Sequence, residues 1–210
     1  MEDDERAGQA GFGRTLALSD GIFAIAMTLV AFQIQTPNSG VHLTAALKRE
    51  APSYGVFALT FFVIGRFWMG HHRLFSRMKR VDDRMMGINL FLLAAIAVLP
   101  FPSGVLGRFG NQSVAVALYA ANMVAVGGLL GLLTLTASRR HLLMASMDGP
   151  AVRRALWRSW SVVIVFGISI PVAFLSPSVA AYLWIALMPV LFGLRRLESR
   201  GGRGSRLPGT

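Results

Sequence analysis

Arg14, Ser19 and Asp20 stand at the start of one apolar segment, His71 and His72 near the end of a second, and Asn89 at the start of a third. A carboxylate with two imidazoles can relay protons or hold a metal ion, and a guanidinium can pair with the carboxylate. The spacing argues against the metal. Adjacent histidines project about 100° apart on a helix, so His71 and His72 cannot both face one ion as an i, i+4 pair would. Asp20 is the one acidic residue inside an apolar segment, so the second carboxylate of an intramembrane hydrolase is missing. Cysteine is absent, which removes disulfides and thiolate chemistry. Two readings remain: a structural network in which these polar groups satisfy one another, or a proton-sensing element. No resident metal or cofactor is expected, and the chain does not read as an enzyme.

The stretch after Asp20 carries a second pattern. Ile25, Thr28, Leu29 and Phe32 are spaced i, i+3, i+4 and i+7 and share one helical stripe. Such a stripe packs against other helices or lines a pore, where Ile25, Leu29 and Phe32 would form a dewetting constriction with Thr28 hydroxyls between them. Spacing alone leaves both open.

These residues have to be positioned by membrane helices. The chain is 54% hydrophobic and 15% charged, with positive mean hydropathy. Six apolar segments approach the roughly 20 residues needed to cross the hydrocarbon core: Ser19 to Gln35, Pro52 to Phe75, Met85 to Leu106, Ser113 to Ser138, Leu156 to Leu175 and Ser178 to Leu194. The expected fold is all-α, an integral membrane bundle of six helices. Residues 1–13 read as a cytoplasmic N-terminal tail, 14–197 as the helical domain and 198–210 as a mobile basic tail. Pro171 and Pro189 fall inside proposed helices and are candidate kinks.

The net charge of +11 does not form one patch. Lysines and arginines cluster in Arg73 to Arg84, Arg139 to Arg158 and Arg195 to Arg206, while the alternate connections hold Lys48, Arg49 and Arg108. With an even number of crossings, this asymmetry puts both termini in the cytoplasm, and the cell inner membrane is the expected location. The basic runs lack aromatic interleaving, so nucleic acid is not an expected partner. Asp82 and Asp83 among Lys79, Arg80 and Arg84 read as a solvated loop. Asn122 and Gly127-Gly128 fit close helix packing.

Arg14-x-x-x-Leu18-Ser19-Asp20-Gly21, followed by Phe23 to Leu29, resembles the Arg-x-x-x-Phe-Ser-Asp signature of the transmembrane protein 175 family of potassium channels, prokaryotic single-repeat type. Trp68-x-x-His71-His72-x-x-Phe75, then Asp82 or Asp83, Asn89-Leu90 and Pro100-Phe101-Pro102, resembles the second and third helices of prokaryotic members. The resemblance implies six helices per subunit, helix one lining the central pore of a homotetramer, and K+ as the permeant ion. Its constriction falls on Ile25, Leu29 and Phe32, the hydroxyl layer linked with selectivity on Thr28, and the structural polar network on Arg14, Ser19, Asp20, His71, His72 and Asn89. Leu18 stands where the motif has Phe, Phe32 where a smaller aliphatic residue is usual, and Gln33 at a place often acidic in relatives. The sequence has no Thr-Val-Gly-Tyr-Gly loop, so a filter of backbone carbonyls is not expected.

Leak-type passage of K+ down its gradient is the reading this supports, with the membrane lipid and other copies of the chain as partners. The rival is a proton-coupled secondary transporter using His71, His72 and Asp20 as a relay. It calls for inverted repeats and paired helix interruptions, which the sequence does not display. A third reading is a structural or assembly protein without transport.

Overall fold

The computed structural model describes residues 2–34 and 42–184, with side chains from Gly11 onward in the first of these stretches. The elements are helices α1 (Glu2–Ala31), α2 (Leu43–Arg49), α3 (Ala51–Phe75), α4 (Asp83–Val98), α5 (Pro100–Phe109), α6 (Ser113–Arg139) and α7 (Gly149–Leu175). Among the described residues there is no strand, only an isolated antiparallel bridge between Met78 and Leu143. Among the described residues five stretches are long and apolar enough to cross a membrane: Gly11–Ala31, Ala51–Phe75, Asp83–Phe109, Ser113–Arg139 and Gly149–Leu175. The protein is therefore an all-α, multi-pass membrane protein. Of the expected sixth segment, residues 178–184 are helical, and the remainder lies outside the described residues, as do Pro189 and the 198–210 tail.

Element boundaries depart from the hydropathy reading where polar residues set them. The third span begins at Asp83 because Asp82 caps α4, its Oδ1 accepting the Met85 N–H at 2.9 Å. The span breaks at Leu99. Pro100 has no N–H to offer the Ile96 carbonyl, which instead accepts from Leu99 N at 3.2 Å before α5 resumes. The fifth span begins at Gly149, seven residues before Leu156. Asp148 accepts the Ala151 N–H at 2.8 Å and Pro150 sits in the first turn. The expected start at Leu156 is corrected accordingly: the polar first turns of α7 carry arginines that can snorkel. Pro171 lies inside α7, which continues to Leu175.

α1 packs on α3, α4 and α5, and α6 packs on α4 and α7. Gly127 and Gly131 let α7 approach closely. A Cβ on Gly127 would sit 3.3 Å from the Ser159 carbonyl, and one on Gly131 3.3 Å from Ser159 Cβ. At the centre, the Thr60 hydroxyl lies 3.1 Å from both Ser103 Oγ and Tyr119 Oη, tying α3, α5 and α6 together.

Candidate functional site

The period of α1 divides it into two faces. Thr15, Ser19, Phe23, Ala26 and Val30 recur every three or four residues and are buried against the bundle. On the other side, Arg14, Leu18, Gly21, Ile25, Thr28 and Leu29 are exposed, uncovered by the other described residues. Ile25 is 58% exposed. Phe32, 80% exposed, lies past the end of α1, where the chain tightens into i to i−3 hydrogen bonds from Phe32, Gln33 and Ile34. The Thr28 hydroxyl donates to the Ile25 carbonyl at 2.8 Å. Its oxygen lone pairs are left over as acceptors, on the uncovered face.

Gln33 takes a different direction. Its side chain fills the space that a Cβ on Gly104 would need, so it lies against α5 rather than along the exposed stripe. Glycine at 104 is what permits this approach.

Behind the stripe, Ser19, Asn89 and His71 form a directional relay. Ser19 Oγ donates to the Thr15 carbonyl at 2.8 Å and accepts from Asn89 Nδ2 at 3.1 Å. The Asn89 Oδ1 then accepts, at 2.8 Å, from His71 Nε2. All three side chains are buried, so each donor that is matched avoids the cost of an orphaned polar group, about 1–3 kcal/mol. His71 is held flat by Phe75, ring centroids 4.2 Å apart, and by Phe23 at 5.5 Å. Its Nδ1 has no hydrogen-bond partner among the described residues.

Asp20 belongs to a separate, more exposed group. Its Oδ1 accepts from Trp68 Nε1 at 2.8 Å and lies 3.9 Å from His72 Nδ1, within ion-pair reach but beyond a hydrogen bond. Trp68 and His72 are one helical turn apart and their rings are 5.5 Å apart, so α3 presents both to the same carboxylate. Adjacent histidines thus serve different partners, as their 100° offset requires. Arg14 is exposed and stands outside both groups. Trp68 is the addition to the polar cluster that residue types alone did not bring forward. Its i, i+4 relation to His72 was the available signal.

Asp82 lies outside the spans. The Met85 backbone N–H first, and the Arg140 guanidinium at 2.6 Å, hold its carboxyl below the usual value. It is a cap and a loop anchor. Among the described residues no cluster of three metal-ligating side chains occurs.

Residues 14–100 match the family model described as endosomal/lysosomal potassium channel TMEM175. A potassium channel of Streptomyces collinus is 37% identical over 67% of this chain and 72% of its own length. The human endosomal/lysosomal proton channel TMEM175 is 30% identical over 47% of this chain and 22% of its own. The crystal structure of a lysosomal potassium-selective channel TMEM175 homolog from Chamaesiphon minutus superposes with a TM-score of 0.76 at 28% identity, covering 89% of this chain and 98% of the other.

Proposed function

This chain belongs to the family of the endosomal/lysosomal potassium channel TMEM175, and from that premise we propose that it is a potassium channel whose pore is lined by α1. The channel passes K+ down its gradient through the membrane and performs no chemical conversion. The observation that carries the placement of the pore is the division of α1: one face is locked into the bundle, while Ile25, Thr28, Leu29 and Phe32 are left uncovered in the single chain.

One copy supplies one such stripe, so other copies must supply the remaining walls; we read the assembly as a homotetramer closed around α1. In it Ile25, Leu29 and Phe32 make a constriction that excludes water when narrow, and Thr28 forms a layer of oxygens between them. Because the Thr28 proton is engaged by the Ile25 carbonyl, its lone pairs can replace part of a cation's hydration shell. Ser19, Asp20, His71, His72 and Asn89 hold the base of this helix, while Arg14, first grouped with them, stands apart on the exposed face. The channel domain is 14–197. Both termini lie in the cytoplasm of a cell whose inner membrane holds the protein, as the basic connections favour.

The test is K+ and Na+ flux into liposomes holding the purified protein. Ile25→Asn is expected to raise K+ flux by wetting the constriction, and Thr28→Ala to lower the K+ to Na+ ratio. Wild-type flux in both variants would reject α1 as the pore wall, and saturable flux coupled to a proton gradient would move the protein to the transporters.

A further inference from the structure

At the end of the bundle where α3 stops and α7 starts, the two helices enclose a cavity of about 320 Å³. Arg66, Arg73 and Arg77 line one wall and Arg154 and Arg158 the other, and among the described residues no carboxylate lines it. Its floor is apolar, including Leu74, Leu130 and Val162. On α3, Arg66 and Arg73 are seven residues apart, so Arg66 lies about 10 Å deeper along the helix, and Arg77 follows in the turn just past its end. Gly70 lies between them and also lines the cavity, with no side chain to fill it. Arg154 and Arg158 are one turn apart on α7 and face back across the groove.

Arginines gathered around an apolar cavity favour a bound anion. Arg66 and Arg73 also engage other groups of the protein, which leaves Arg77 and Arg154, both exposed, and the half-buried Arg158 as the principal ligands. Both helices are membrane spans, so the groove opens where a lipid headgroup meets its acyl chains. We propose that it is a binding site for an anionic phospholipid of the inner leaflet. Arg77, Arg154 and Arg158 hold the phosphate and the floor takes an acyl chain. A free phosphate satisfies the arginines but leaves the apolar floor unused, which is why the lipid is the occupant chosen. The leaflet assignment rests on the orientation proposed above, while the site itself does not.

Native mass spectrometry of the purified protein, with phosphatidylglycerol or phosphatidylcholine added, tests this. Wild type is expected to retain phosphatidylglycerol in preference to phosphatidylcholine. Arg154→Ala/Arg158→Ala is expected to retain about tenfold less phosphatidylglycerol. Arg139→Ala/Arg153→Ala, which removes two exposed charges outside the groove, stays within about twofold of wild type. Arg154→Glu alone, at an exposed position, gives the same loss should the double variant not fold. Equal losses in groove and control variants would mean diffuse surface attraction and overturn the site. Displacement of the lipid by inorganic phosphate would make it a free-anion site, and a groove variant that loses its oligomeric state at unchanged lipid would make it a subunit contact; either overturns the proposal. Potassium flux on the same preparation reports separately on the channel reading.

Discussion

Phe23, Ala26 and Val30 on one face of α1 are almost completely buried, while Ile25, Leu29 and Phe32, equally apolar, are uncovered on the other. In water the second face would be an anomaly; in a membrane it needs lipid, a pore or a neighbouring subunit. The difference teaches that residue type does not separate packing from conduction on this helix. What separates them is the period: residues 15, 19, 23, 26 and 30 follow the groove between α3, α4 and α5, and the stripe half a turn away is left uncovered by the described residues.

The contrast breaks most visibly with truncations of matched kind. Phe23→Ala empties a site packed against the His71 ring and is expected to cost about 3 kcal/mol, read as loss of resistance to a denaturing detergent. Leu29→Ala removes an uncovered side chain and is expected to change stability by less than about 0.5 kcal/mol while raising K+ flux. If Leu29→Ala destabilised as much as Phe23→Ala, the stripe would be a packing surface and its pore role would fall.

A smaller effect is expected between the two polar groups. Asn89→Ala leaves both His71 Nε2 and Ser19 Oγ without their buried partner and is expected to cost about 1–2 kcal/mol. Asp20→Asn keeps an oxygen for Trp68 Nε1 at a more exposed place and is expected to cost less than half as much. Equal losses would mean that the Asp20 group is as structural as the buried relay.

The stripe and the polar residues were legible in the sequence because both depend on local spacing: i, i+3, i+4 and i+7 on one helix, and polar types at apolar boundaries. Family membership followed from the same residues, Arg14 to Leu29 above all. The directions of the hydrogen bonds were not legible, since His71, Asn89 and Ser19 come from three helices and meet only after those helices pack. Nor was the division of the two histidines between Asn89 and Asp20, although their angular offset implied different partners. The break at Leu99 and the start of α7 were written in Pro100 and in Asp148-Gly149-Pro150, punctuation that hydropathy averages away. The arginine groove was hidden for a different reason. Counting charges by loop explains topology, but Arg77 and Arg158, 81 positions apart in sequence, share a cavity only because α3 and α7 both pack on α6 and face each other across it.

The smallest effect concerns the helix that carries Asn89 to α1. Asp82 caps α4 and pairs with Arg140, so it fixes where that helix starts and how it meets the end of α6. Its carboxyl titrates below the ordinary 3.8, chiefly because the Met85 N–H is held against it. A lowered pKa in the folded state means that ionised Asp82 stabilises the fold above the unfolded-state value, and that this contribution is lost as pH falls through the lowered one. Asp82→Asn keeps a capping oxygen and removes only the charge, so at neutral pH it is expected to cost about 0.5 kcal/mol, the pair with Arg140 being partly open to solvent. The two proteins should then converge in stability as the pH drops below the folded-state pKa. A difference that persisted unchanged into acid would assign the effect to packing of the α4 start rather than to its charge, and Asn89 would then owe its position to α4's apolar contacts alone.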